Sequence, residues 1–115
     1  MIPFCMDQGI GVSVFSPLAR GILTSDLQST RNQTDFFTAE MYNDQASKDI
    51  AHSVAKIANA RGCLPAQVAQ AWVLNKPEVS SMLVGADTVA QFNSAVAAVE
   101  MKLTVEEIYE LERNY

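Results

Sequence analysis

The stretch with the most chemistry in it is Phe15-Ser16-Pro17-Leu18-Ala19-Arg20-Gly21. A β-branched and aromatic run, Val12-Ser13-Val14-Phe15, stops at a proline and is followed by a hydroxyl, backbone N–H groups and a guanidinium. Those are the donors that meet phosphate oxygens, and a strand's carboxyl end is a usual place to present them. Taken alone, the same letters also describe a plain strand exit. Other residues that could do chemistry are less promising. Gly9 and Gly11 precede the strand, whereas a dinucleotide fingerprint needs its glycines after it, so they are read as a turn. Cys5 and Cys63 form no C-x-x-C pattern and His52 is the sole histidine, which leaves no metal set. Glu106, Glu107, Glu110 and Glu112 fall on two faces of a terminal helix and are not a catalytic carboxylate pair.

At 115 residues the chain fits one small unit, spanning 1–115. An ordinary (β/α)8 barrel needs roughly 250 residues. The net charge of −5 argues against nucleic acid, which requires a clustered positive field. No segment approaches the ~20 apolar residues of a membrane span, and the start lacks the pattern of a secretory leader, so a cytoplasmic location is expected.

The elements that must position the donors follow from pattern. A strand is predicted over about 11 to 15. A polar span from Leu23 to about Asn43 has the length of a functional loop, with Arg31 as its only cation. Ile50, Val54, Ile57 and Ala58 predict a helix over about 45 to 61, which Gly62 ends in a left-handed conformation. Pro65 opens a second helix whose apolar face is Val68, Ala69, Trp72 and Val73, although Leu64 is a poor cap. Met82-Leu83-Val84 reads as a buried strand. Thr88 through Gln91 has the capping-box form and opens a helix bearing Val89, Phe92, Val96 and Val99; Thr104 and Glu107 repeat the device for a last helix. Strand, long loop, helices, strand, helices is the order of a parallel α/β fold, and it sets the loops at Ser16 and Gly85 side by side at the strands' carboxyl ends.

These residues resemble the NAD(P)H-dependent aldo-keto reductases. The likeness rests on Gly9-Ile10-Gly11-Val12 with Phe15 through Gly21, on Pro65-Ala66-Gln67-Val68-Ala69 with Ala71-Trp72, and on Val84-Gly85-Ala86 with Gln91-Phe92. It implies the C-terminal part of a (β/α)8 TIM barrel: the last two parallel strands and their helices, an incomplete barrel. It further implies that Phe15 stacks on the nicotinamide, and that Ser16, Pro17, Leu18, Arg20 and Gly21 lie along the pyrophosphate. Arg31 would reach the adenosine side, Gly85 and Ala86 would hold the adenosine phosphate, and Gln91 would contact the adenosine end. For Gln91 a structural role in the Thr88 cap competes with that contact. The implied cofactor is NADP, with NAD as the alternative, because Asp87 sets a negative charge where a 2′-phosphate would sit.

The family's acid catalyst is a tyrosine aided by lysine, aspartate and histidine on earlier barrel strands that are not in this chain. Tyr42, Tyr109 and Tyr115 stand in none of those contexts, so no catalytic residue is assigned. The resemblance thus implies a cofactor-binding portion, inactive alone, whose small carbonyl substrate is met only in a complete barrel. Two alternatives are a non-catalytic interaction module that pairs as a homo-oligomer or with a partner chain, and a truncated reading-frame product.

Overall fold

A computed structural model describes residues 1–24, 40–42 and 44–115. The chain begins with helix α1 (Ile2–Asp7), which sequence patterning did not suggest. It has six residues, Pro3 in its first turn and no side-chain cap, so neither periodicity nor a capping pair marks it. Strand β1 (Val12–Val14) follows, then a 3-10 turn (Ala19–Gly21). Helices α2 (Gln45–Arg61) and α3 (Pro65–Leu74) lead into strand β2 (Val79–Met82), and α4 (Val89–Glu100) and α5 (Val105–Glu112) complete the order.

The two strands pair in parallel, making this an α/β chain with a small parallel sheet. Val12 faces Val79 and Ser13 faces Ser81, so Ser80 is an extra residue on β2. Its hydroxyl accepts from the Val12 N–H at 3.2 Å. A Cβ on Gly11 would sit 2.9 Å from that hydroxyl oxygen, which is why a glycine stands beside the bulge. The predicted strand 82–84 is displaced: β2 ends at Met82, and Leu83 and Val84 lie beyond it, exposed rather than buried. Pairing continues one step further, where the Leu83 N–H donates to the Val14 carbonyl at 2.8 Å.

Helix boundaries follow the capping chemistry. The Asp44 side chain accepts from the Ser47 N–H and opens α2; the bond from the Ser47 hydroxyl, and then that from its N–H, hold the Asp44 carboxyl below its ordinary pKa. Gly62 ends it at φ 65° and ψ 35°. Leu64 offers α3 no side-chain acceptor, and Gln67 compensates by accepting the Leu64 N–H at 3.0 Å. Thr104 and Glu107 form a complete reciprocal box at the start of α5.

The core lies among α2, α3 and α5: Val54, Ile57 and Ala58 meet Val68, Ala69 and Ala71, closed by Leu103 and Leu111. Helix α4 joins through Ala95 and Ala98, small enough for close approach to α3. Its apolar stripe turns outward, with Val89 76%, Phe92 56%, Val96 53% and Val99 58% exposed. Among the described residues no helix is long and apolar enough to cross a membrane.

Candidate functional site

Parallel pairing brings the two predicted loops out at one end of the sheet, Ser16 two residues after β1 and Gly85 three after β2. Phe15, the first residue beyond β1, is 81% exposed, so its ring face is open. Ser16 and Arg20 are exposed, while Pro17, Leu18 and Gly21 are half-buried.

The backbone here departs from what the letters suggest. Ser16 has φ 54°, Ala19 φ 46° and Arg20 φ 57°, three non-glycine residues in the left-handed region, and Gly21 follows at φ 101°. A left-handed L-residue costs on the order of 1 kcal/mol, and such outliers persist only where neighbouring contacts hold them. Leu18 is the holding residue: its side chain packs on the core, and its carbonyl accepts from the Gly21 and Leu23 N–H groups at 2.9 and 3.3 Å. The Ser16 carbonyl accepts the Ala19 N–H at 3.0 Å. Among the described residues, the Ser16 and Leu18 N–H groups have no hydrogen-bond partner. The segment is thus a tight, anchored turn that presents a ring, a hydroxyl and two amides.

At the second loop, Gly85 and Ala86 are exposed, and a Cβ added at Gly85 meets nothing within 4 Å. Gln91 fastens this loop, but its side-chain oxygen accepts the Asp87 N–H at 2.7 Å, one residue before the bond a capping box would make. Thr88 completes its own half, accepting the Gln91 N–H at 3.2 Å. Arg31 lies outside the described residues.

The acidic residues of α5 turn out to be structural. Glu107 takes a bidentate ion pair from Arg61, whose hydrogen bond holds its carboxyl below the ordinary value. Glu110 pairs with Lys56 at 3.1 Å. Glu112 accepts from Lys76 and from the Trp72 indole N–H, and those two bonds, the lysine's first, lower its pKa. Trp72, expected only to pack, is also a donor, with Lys76 4.7 Å above its ring. Burial pushes the Cys63 thiol up, as expected of an inert core cysteine. Sequence reasoning missed Leu18's anchoring role and the strained backbone; the one local signal was a leucine amid polar and small residues.

The aldo/keto reductase family model matches residues 1–115. The versiconal hemiacetal acetate reductase of Aspergillus parasiticus is 36% identical over 121 residues, covering 100% of this chain and 35% of that protein. A Schizosaccharomyces pombe protein with a provisional aryl-alcohol dehydrogenase name is 36% identical over 119 residues, covering 100% and 33%. The crystal structure of a thermostable aldo-keto reductase bound to the inhibitor epalrestat superposes with a TM-score of 0.69 at 24% identity, over 99% of this chain and 33% of that one. This chain therefore spans about a third of the length of the curated relatives it matches. Matched by the family model over residues 1–115, the chain belongs to the aldo/keto reductase family.

Proposed function

We propose that residues 1–115 are the cofactor-binding, C-terminal portion of an NAD(P)H-dependent aldo-keto reductase barrel. The observation that carries this reading is the emergence of Phe15–Gly21 and Gly85–Ala86 from the same end of a parallel strand pair. The residues fit a dinucleotide. An open Phe15 ring suits stacking on a flat heterocycle. The Ser16 hydroxyl and the Ser16 and Leu18 amides suit phosphate oxygens, with the exposed Arg20 adding positive charge nearby. Among the described residues nothing lies within 4 Å of a Cβ added at Gly85, so the glycine leaves open space into which a ligand phosphate can come close.

When bound, a nicotinamide supplies the hydride that a carbonyl carbon accepts. The residues of this chain hold and orient; a proton donor for the carbonyl oxygen belongs to barrel strands beyond these residues. NADP is the proposed cofactor over NAD, and a small carbonyl compound the substrate of the complete barrel.

Thermal unfolding with and without NADPH tests the reading, because a ligand bound only by the folded state raises the midpoint by mass action. A midpoint raised by NADPH and unmoved by inorganic pyrophosphate supports it; a cooperative transition that NADPH leaves in place overturns it. The pure chain is expected to show no NADPH-dependent reduction of a reactive aldehyde above a heat-treated control.

A second reading, a module that pairs with another chain, is favoured by the outward stripe Val89, Phe92, Val96 and Val99. Light scattering that gives a stable monomer at micromolar concentration refutes it.

A further inference from the structure

Behind the first loop, a cavity of about 250 Å³ opens between the 3-10 turn with the segment after it and the helical core. Among the described residues its apolar walls are Ala19, Ile22 and Leu23 on one side and Ile50, Trp72 and Leu111 on the other, and the hydroxyl-bearing Tyr42 and Ser47 also line it. None of Phe15, Ser16, Arg20, Gly85 or Gln91 lines it.

We propose that this cavity binds a compact, uncharged aromatic molecule of one or two fused rings, at a site distinct from the surface of the two loops. Size sets the upper limit: an apolar cavity of about 150 Å³ accepts benzene, so this one has room for a fused bicycle. Ring chemistry favours an aromatic. Trp72 and Tyr115 both line the space and already form a tilted pair, centroids 6.4 Å apart and planes at 54°, so a ring in the cavity joins an existing aromatic pair rather than entering between its members. Tyr115 is 94% exposed and stands at the mouth, where it can move aside. Charge sets the sign of selection. Among the described lining residues Glu112 is the ionic one, and Lys76, which pairs with it, is not among them. An anion entering there meets that carboxylate and gives up hydration that the lining hydroxyls of Tyr42 and Ser47, the latter already donating to Asp44, replace only in part. The inference does not depend on the cofactor reading, since no residue of the wall other than Ala19 lies within the proposed dinucleotide surface.

The sole tryptophan of the chain stands in the wall, and its indole N–H bonds to Glu112 at 2.9 Å, so one nitrogen-15 NMR signal reports occupancy. Titration of the chain with 2-naphthol should move that signal saturably, as a single site. The anion 2-naphthoate should bind at least about tenfold more weakly. Ile22→Phe and Ile50→Phe, which fill the space from opposite walls, should weaken 2-naphthol by a similar factor while keeping a dispersed spectrum. Nuclear Overhauser contacts from 2-naphthol to the Ile22 and Ile50 methyls decide the same question without a variant. A shift that stays linear to the solubility limit, equal binding by folded filled variants, equal binding of naphthoate, or an indole signal at the unfolded position in the free chain each overturns the proposal.

Discussion

Removing the Glu107 carboxylate tests whether the terminal helix is held on by charge or by apolar contact alone. Glu107 receives two bonds from Arg61 at the end of α2, and its Oε2 also accepts the Thr104 N–H at 2.7 Å. Arg61 reaches the Lys102 carbonyl as well, at 2.9 Å, so one guanidinium ties α2, the connection and the first turn of α5 together. The two side chains are 28% and 20% exposed, so the pair is worth more than a surface ion pair but less than a fully desolvated one, about 1–2 kcal/mol. Losing the capping acceptor adds roughly 0.5–1 kcal/mol. Glu107→Ala should therefore cost about 2 kcal/mol and lower the urea midpoint, read by circular dichroism, by 1 M or more at an m-value of about 1.5 kcal/mol/M. Glu107→Gln keeps an acceptor for Thr104 and should lose about half as much. The bond from Arg61 depresses the folded carboxyl pKa below the ordinary 4.5. This stabilisation is therefore complete above that value and drains away as pH falls through the depressed one. The gap between the natural chain and Glu107→Gln should be full at about pH 6 and shrink as the pH is taken below the ordinary 4.5. A gap unchanged across that range, or an alanine variant as stable as the natural chain, would refute the argument.

Two other substitutions separate binding from folding. Phe15→Ala removes a ring that is 81% exposed, so stability should change by no more than about 0.5 kcal/mol, while NADPH binding, read by thermal shift, should weaken about fivefold or more. Gly62→Ala puts a Cβ at φ 65°, where it meets nothing within 4 Å; the expected loss of about 1 kcal/mol on denaturation is backbone strain alone, and no loss would mean that the α2 terminus is not left-handed in solution.

The helices after α1 were legible because their signals are local. Gly62, Pro65, Thr88 and Thr104 each mark a boundary by their own chemistry, and α2, α3 and α4 have the expected spans. Strand β2 was less legible: Met82-Leu83-Val84 is its most apolar stretch, yet pairing with β1 selects Val79–Met82, and register is a property of two segments that no single run encodes. The left-handed turn at Ser16, Ala19 and Arg20 was not legible either, since those residue types ordinarily avoid positive φ and only the anchoring of Leu18 in the core explains it. Within the candidate site, the exposure of Phe15, Ser16 and Gly85 could not be read from their types, and neither could the packing of the Leu18 side chain on the core, which leaves its backbone N–H facing outward beside them.

Helix α4 separates the two ends of the molecule energetically. It carries a narrow face of small residues, Ala95 and Ala98, against α3 and a broad apolar face, Val89 to Val99, turned away from the core. A helix apolar on both sides belongs to a setting in which both are covered. The core among α2, α3 and α5 closes without that cover, through Val54, Ile57, Val68 and Leu111 and the ion pairs at Glu107 and Glu112. The loops beyond β1 and β2, by contrast, rest on a pair of short strands with exposed residues on either side. Affinity for a dinucleotide should therefore rise when the sheet and the α4 stripe are covered by further barrel strands, because the loops then lose less entropy on binding. Occupancy of the cavity behind Trp72 should not change, because its inner wall is the core that already closes by itself.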